Sequence, residues 1–193
     1  IATPANDATP SYVFSTDEAG TLTTNVSEGF SSSSSVTSGN NTVTFNSLDD
    51  GTYSGKTITV TDAGGNSNSL TLADFVIETV SPTMTITSST VSDGDTSNDS
   101  SIALTFTSNE ATSNFVVGDV TVSGGVLSSF ASSSSTVYTA TFTPSDAAAT
   151  SIDVAAGVFT DASGNGNTAA SQFNWTFDNS SAELSNVSIS SNN

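Results

Sequence analysis

Val60-Thr61-Asp62-Ala63-Gly64-Gly65-Asn66 returns as Phe159-Thr160-Asp161-Ala162-Ser163-Gly164-Asn165 about 99 residues later. A return of that length, with other landmarks in the same order, marks a tandem repeat. Phe14-Ser15-Thr16-Asp17-Glu18-Ala19 is matched by Phe106-Thr107-Ser108-Asn109-Glu110-Ala111, and Thr42-Val43-Thr44-Phe45 by Thr139-Ala140-Thr141-Phe142. Serine runs follow Phe30 and Phe130, and the offsets drift only between about 92 and 100 residues, as small loop insertions produce. The chain is therefore expected to hold two copies of one module, over residues 1–79 and 80–178. Residues 179–193 are expected to form a linker and the first strand of a further module, since Leu184-Ser185-Asn186-Val187-Ser188-Ile189-Ser190-Ser191 echoes Met84-Thr85-Ile86-Thr87-Ser88-Ser89. On that expectation the chain is a piece of something longer.

A chain of 193 residues with 34% hydrophobic content suffices for two small cores. Ser, Thr, Asn, Gly and Asp dominate the rest, while Val, Ile, Thr and Phe supply the apolar and β-branched positions. That mix favours short strands and polar turns, hence an all-β protein. Nineteen acidic residues face one lysine and no histidine, for a formal net charge of −18. Such a charge opposes nucleic acid and anionic membranes as partners and makes divalent cations the first ligand to consider. There is no cysteine to form a disulfide. No apolar run approaches the roughly 18 to 20 residues of a membrane span, and an acidic, lysine-poor chain suits export to the cell surface.

Short alternating runs separated by turns every 8 to 12 residues or so predict β-sandwich modules. Expected strands include residues 11–14, 20–24, 40–45, 56–61 and 69–77 in the first module. In the second they include 101–107, 116–122, 136–142, 151–154 and 174–178. Ile58, Val60 and Trp175 are expected in the cores. Thr79-Val80-Ser81-Pro82 is the expected linker, because proline restricts the residue before it and cannot continue a ladder. Strand, Phe-x-x-x-Glu-Ala, serine-rich loop, Thr-x-Thr-Phe, Thr-Asp-Ala-x-Gly-Asn and a closing aromatic strand together resemble the bacterial immunoglobulin-like repeats of large surface proteins and adhesins. The resemblance implies tandem immunoglobulin-like β-sandwiches in an extracellular stalk, with calcium often stiffening the junctions.

Candidate calcium ligands lie in the polar turns. Asp93, Asp95 and Asp99 share one loop beyond the linker, and calcium takes six to eight oxygens, often from carboxylates and carbonyls of such loops. The same residues also suit turns in which carboxylates cap backbone amides. Asp62 and Asp161 occupy matching Gly-Asn turns near the module ends, where Glu78, Asp93 or Asp178 would join as further ligands; here too metal ligation and turn capping are both open. Gly65 and Gly164 read as turn glycines with positive φ. Glu18 and Glu110 read as loop tethers, Lys56 as a surface lysine, and the serine runs as polar surface loops.

The inventory disfavours catalysis. Without His or Cys, neither a Ser-His-Asp nor a Cys-His arrangement is available. The leading expectation is a non-catalytic spacer of a cell-surface adhesin, whose partners are neighbouring modules and a surface receptor. A filament or surface-layer subunit assembled by strand addition at an exposed sheet edge is the alternative. A carbohydrate-binding module is a third reading and would require exposed aromatic side chains.

Overall fold

The computed structural model of the chain describes residues 3–185. The fold is all-β, with a single 3-10 turn at Val117–Asp119 among the described residues. Contacts divide the chain into two units, Ile1–Ser81 with Thr160–Gly166, and Pro82–Phe159 with Asn167–Asn193. The turn carrying Asp161 thus packs with the first unit, although its sequence belongs to the second repeat.

Unit 1 contains β1 (Ser11–Thr16), β2 (Gly20–Thr24), β3 (Ser35–Val36), β4 (Gly39–Thr44), β5 (Gly51–Tyr53), β6 (Thr57–Asp62), β7 (Ser67–Thr71) and β8 (Phe75–Ile77). One sheet runs β3-β2-β6-β7, while β1 pairs with β4 and β5 with β8. Their inward side chains share a core that includes Leu22, Val43, Phe45, Ile58, Phe75 and Ile77. Burying each such side chain contributes roughly 1.5–3 kcal/mol before entropy is counted. Tyr53 stacks on Phe75 with ring centroids 4.9 Å apart.

Unit 2 contains β9 (Met84–Ser88), β10 (Thr96–Ser97), β11 (Ile102–Ser108), β12 (Val120–Ser123), β13 (Gly125–Ser132), β14 (Val137–Pro144), β15 (Ala149–Val154) and β16 (Phe173–Phe177). Two four-stranded sheets, β13-β14-β11-β9 and β10-β16-β15-β12, enclose one core. β11 alternates as the sequence predicts: Ile102, Leu104 and Phe106 are buried and the residues between them point away. Trp175 is buried and meets Phe142 edge-on at 6.2 Å.

Both units are immunoglobulin-like in their pairing of equivalent strands. β1 pairs with β4 so that Tyr12 faces Val43 and Phe14 faces Asn41. β11 pairs with β14 so that Leu104 faces Ala140 and Phe106 faces Tyr138. This strand pair thus keeps the same register in both units. They differ at one edge: β11 is flanked by β9 as well as β14, whereas among the described residues β1 pairs with β4 alone.

Two strand expectations need correction. Residues 69–77 form two strands: β7 pairs with β6, and β8 with β5. The break follows from local bonds, since Leu72 N–H still donates to the Lys56 carbonyl while Asp74 Oδ1 accepts the Gly55 N–H, turning the chain between them. Residues 116–122 are not one strand either. Asp119 Oδ2 accepts the Val116 N–H at 2.8 Å and its own N–H returns to the Val116 carbonyl, winding a 3-10 turn before β12. The expected strand in residues 184–191 falls mostly outside the described residues.

Candidate functional site

Glu78 and Asp161, far apart in sequence, are brought together in unit 1 with carboxylate oxygens within 4.8 Å. The turn explains how. Asp161 Oδ1 accepts backbone N–H groups from Ser163 at 2.8 Å, Gly164 at 2.7 Å and Asn165 at 3.0 Å. Wrapping three successive amides around one oxygen requires the chain to turn back on itself, and Gly164 permits it with φ of 95°. Asn165 Nδ2 then donates to Asp161 Oδ2 at 2.9 Å, Glu78 Oε2 at 2.7 Å and the Glu78 carbonyl at 3.0 Å. Glu78 Oε1 accepts the Val80 N–H at 2.7 Å. An amide nitrogen has two hydrogens, so three oxygens share them.

Burial pushes the Asp161 carboxyl up, but the Asn165 side chain and the three backbone amides outweigh it and hold the group below its ordinary value of 3.8. Asp62 repeats the turn in simpler form. Its Oδ1 accepts the Asn66 N–H at 2.8 Å and its Oδ2 the Asn66 side-chain amide at 2.9 Å. Those bonds also lower its pKa, the side chain of Asn66 first. Asn66 is exposed, whereas Asn165 is buried.

The loop of Asp93, Asp95 and Asp99 lies in unit 2 and is a clamp between the unit's early segment and its last strand. Gly94 N–H donates to the Asn174 carbonyl at 2.8 Å, and the Asp95 and Ser97 carbonyls accept from Thr176 and Asp178, each at 2.9 Å. Asp93 Oδ1 adds the Asn174 N–H at 2.7 Å. Asp95 Oδ2 accepts the Ser92 N–H, and Asp99 Oδ2 the Ser97 hydroxyl, which in turn accepts the Trp175 indole N–H at 3.0 Å. β10 and β16 run parallel here. Among the described residues these three carboxylates do not converge within 4.8 Å of one another. An equivalent parallel contact closes unit 1: Ala5 N–H donates to Val76 and Ala5 O accepts from Glu78, both at 3.0 Å.

Lys56 Nζ stands 5.8 Å from the centre of the Tyr53 ring, a cation–π distance. Glu18 N–H and carbonyl both meet the Thr16 hydroxyl, a local tether. Sequence reasoning missed Asn167, which is 3% exposed and makes four side-chain bonds, to the Val158 and Phe159 amides and the Ala155 and Thr168 carbonyls. The alternation Gly164-Asn165-Gly166-Asn167 was its available signal, because an inward side-chain amide can accept from and donate to the backbone of a buried loop at once. All exposed large hydrophobics among the described residues are aliphatic. No helix of the described residues is long and apolar enough to cross a membrane.

Residues 78–189 match the family model of the bacterial Ig-like domain. No curated protein matches the sequence. Among solved structures, invasin, described as a bacterial integrin-binding protein, is similar at 14% identity, covering 91% of this chain and 37% of its own, with a TM-score of 0.38. SGBP-B of the Bacteroides ovatus mixed-linkage glucan utilization locus, in complex with a mixed-linkage heptasaccharide, is similar at 15% identity, with coverages of 88% and 41% and a TM-score of 0.25. The chain thus spans less than half the length of either.

Proposed function

Because the chain belongs to the bacterial Ig-like domain family, we propose that it is a non-catalytic spacer that carries tension in an extracellular surface protein of the adhesin type. The observation that carries this reading is the parallel clamp. In each unit a segment near the beginning pairs parallel with the last strand, Ala5 with Ile77 and β10 with β16. Tension applied through the two ends of such a unit pulls these strands in opposite senses, so their hydrogen bonds are loaded together in shear. In an antiparallel terminal pair they would open one at a time. The Asp93 carboxylate, the Ser97 hydroxyl and the Trp175 indole add side-chain bonds at the same place in unit 2. The absence of an exposed aromatic among the described residues argues against a sugar platform.

Calcium enters this proposal as an added stiffener rather than a requirement. Asp62, Glu78, Asp93, Asp95, Asp99 and Asp161 each accept an N–H or O–H donor, and each carboxylate has further lone pairs to offer a cation. Asp161 Oδ1, with three donors, is the least suited of these oxygens to a cation. Pulling the full chain from its ends, in calcium and in chelator, tests both parts. The spacer reading expects two discrete unfolding events of high force, one per unit, and a rise of the melting temperature with calcium if ions bind the native state. Featureless extension at low force would overturn the spacer reading, and identical traces and melting temperatures in the two buffers would remove calcium from it.

A further inference from the structure

Asn165 is followed by Gly166, the only Asn-Gly step in the sequence, whereas the matching asparagine of the first repeat, Asn66, is followed by Ser67. The difference is chemical. In an Asn-Gly step the glycine nitrogen reaches the asparagine side-chain carbon readily, because no Cβ crowds its approach and the backbone turns freely there. A serine in the same place hinders that approach.

The folded turn restrains the reaction. Asn165 is 9% exposed, and its Nδ2, the atom that would depart, donates to Asp161 Oδ2, Glu78 Oε2 and the Glu78 carbonyl at 2.9, 2.7 and 3.0 Å. The peptide that would supply the attacking nitrogen is held as well, since the Asn165 carbonyl accepts the Asp161 N–H at 3.2 Å. The Asn165 N–H is itself spent on Asp161 Oδ1 at 3.0 Å. Ring closure therefore requires the side chain to leave its partners and swing onto its own following peptide.

We propose that Asn165-Gly166 is a self-modification site, blocked while its turn is closed and reactive when the turn opens, whose product keeps the turn from closing again. The Gly166 nitrogen bonds to Asn165 Cγ, the Cγ–Nδ2 bond breaks, and Nδ2 departs as ammonia with the proton that the Gly166 nitrogen gives up. Water then opens the cyclic imide at either carbonyl. One opening leaves an aspartate in place of the asparagine; the other leaves an isoaspartate, which lengthens the backbone by a carbon. In both products a carboxylate replaces the donor that Glu78 and Asp161 shared, so two hydrogen bonds become contacts between like charges. The isoaspartate also shifts the amides of Ser163, Gly164 and Asn165 that Asp161 Oδ1 collects. A brief opening of the turn is thus reversible, and a long one is not.

Ageing the full chain at mildly alkaline pH, folded and in urea, tests this, with asparagine conversion mapped by mass spectrometry. In urea, Asn165 is expected to convert ahead of Asn66 and the other asparagines. In the folded chain it is expected to convert at least about tenfold more slowly, because only the opened fraction reacts. Once urea is removed, chain converted at Asn165 should melt below unaged chain carried through the same steps. Gly166→Ala, at an exposed position, leaves the Asn165 side chain in place and restores the crowding at the attacking nitrogen. That variant should age with little conversion at Asn165 and return to its own starting melting temperature. Freshly prepared Asn165→Asp should melt below the parent, which separates the effect of the product from that of ageing. Equal conversion in the folded chain and in urea overturns the proposal, as does undiminished conversion in Gly166→Ala. So does a converted chain, or Asn165→Asp, that melts with the parent.

Discussion

Phe14 and Phe106 stand at the same point of matching strands, yet Phe106 is 0% exposed and Phe14 lines an open groove. Nothing in the two strands themselves explains this. Tyr12 and Phe14 point inward from β1 as Leu104 and Phe106 do from β11, and the partner strands keep the same register. The difference is the neighbour on the other side: β9 brings Met84 and Ile86 over the core of unit 2, and the described part of unit 1 has no counterpart. Burial in a sandwich is thus a property of the completed edge rather than of the residue. A second contrast concerns the repeated turns. Asp62 and Asp161 make the same local bonds to the asparagine four residues on and both draw on the amides of the turn, but Asp161 holds three of them at 2.7–3.0 Å and shares that asparagine with Glu78.

Large-to-small substitution breaks the first contrast most forcefully. Phe106→Ala removes a fully enclosed ring and is expected to cost about 3–5 kcal/mol, as for other buried phenylalanines. Phe14→Ala is expected to cost less than half as much, because part of that ring already meets water. Denaturant unfolding followed separately for each unit gives both values, and equal losses would mean that the groove is closed in solution.

Asp161→Ala strands three backbone donors and is expected to cost about 1–3 kcal/mol. Asp62→Ala, at an exposed turn that water can satisfy, is expected to have a smaller effect on the same unit. The pH dependence follows from the direction of the shifts. Both carboxyls titrate below 3.8 in the folded chain, so their stabilisation is present above the unfolded value and is lost as pH falls through the folded one. Acid unfolding of the Asp161→Asn chain should accordingly be less steep below that pH than that of the parent chain, a smaller effect than the alanine substitution itself.

Much of this was legible in the residues. Alternation in residues 101–107 and in residues 57–61 gave strands and inward faces, because a half-buried sheet imposes period two on its sequence. Repetition of Thr-Asp-Ala-x-Gly-Asn marked matching turns, and Gly65 and Gly164 do have positive φ. The rest depended on distance. Residues 69–77 read as one strand since nothing local announces that pairing passes from β6 to β5 at Leu72 and Asp74. Asp93, Asp95 and Asp99 read as a cluster because they are close in sequence, but each turns to a different donor. That Glu78 meets Asn165 across 87 residues is a tertiary fact with no sequence period to betray it.

Residue-resolved hydrogen exchange on the dilute, monomeric chain tests the central contrast directly. The account predicts that Thr105 and Thr107 amides, which face β9, are protected to nearly the same degree as Leu104 and Phe106. Val13 and Ser15, facing the open edge, should exchange orders of magnitude faster than Tyr12 and Phe14. Equal protection of both rows in β1 would contradict the account, because it would require a strand on that edge already.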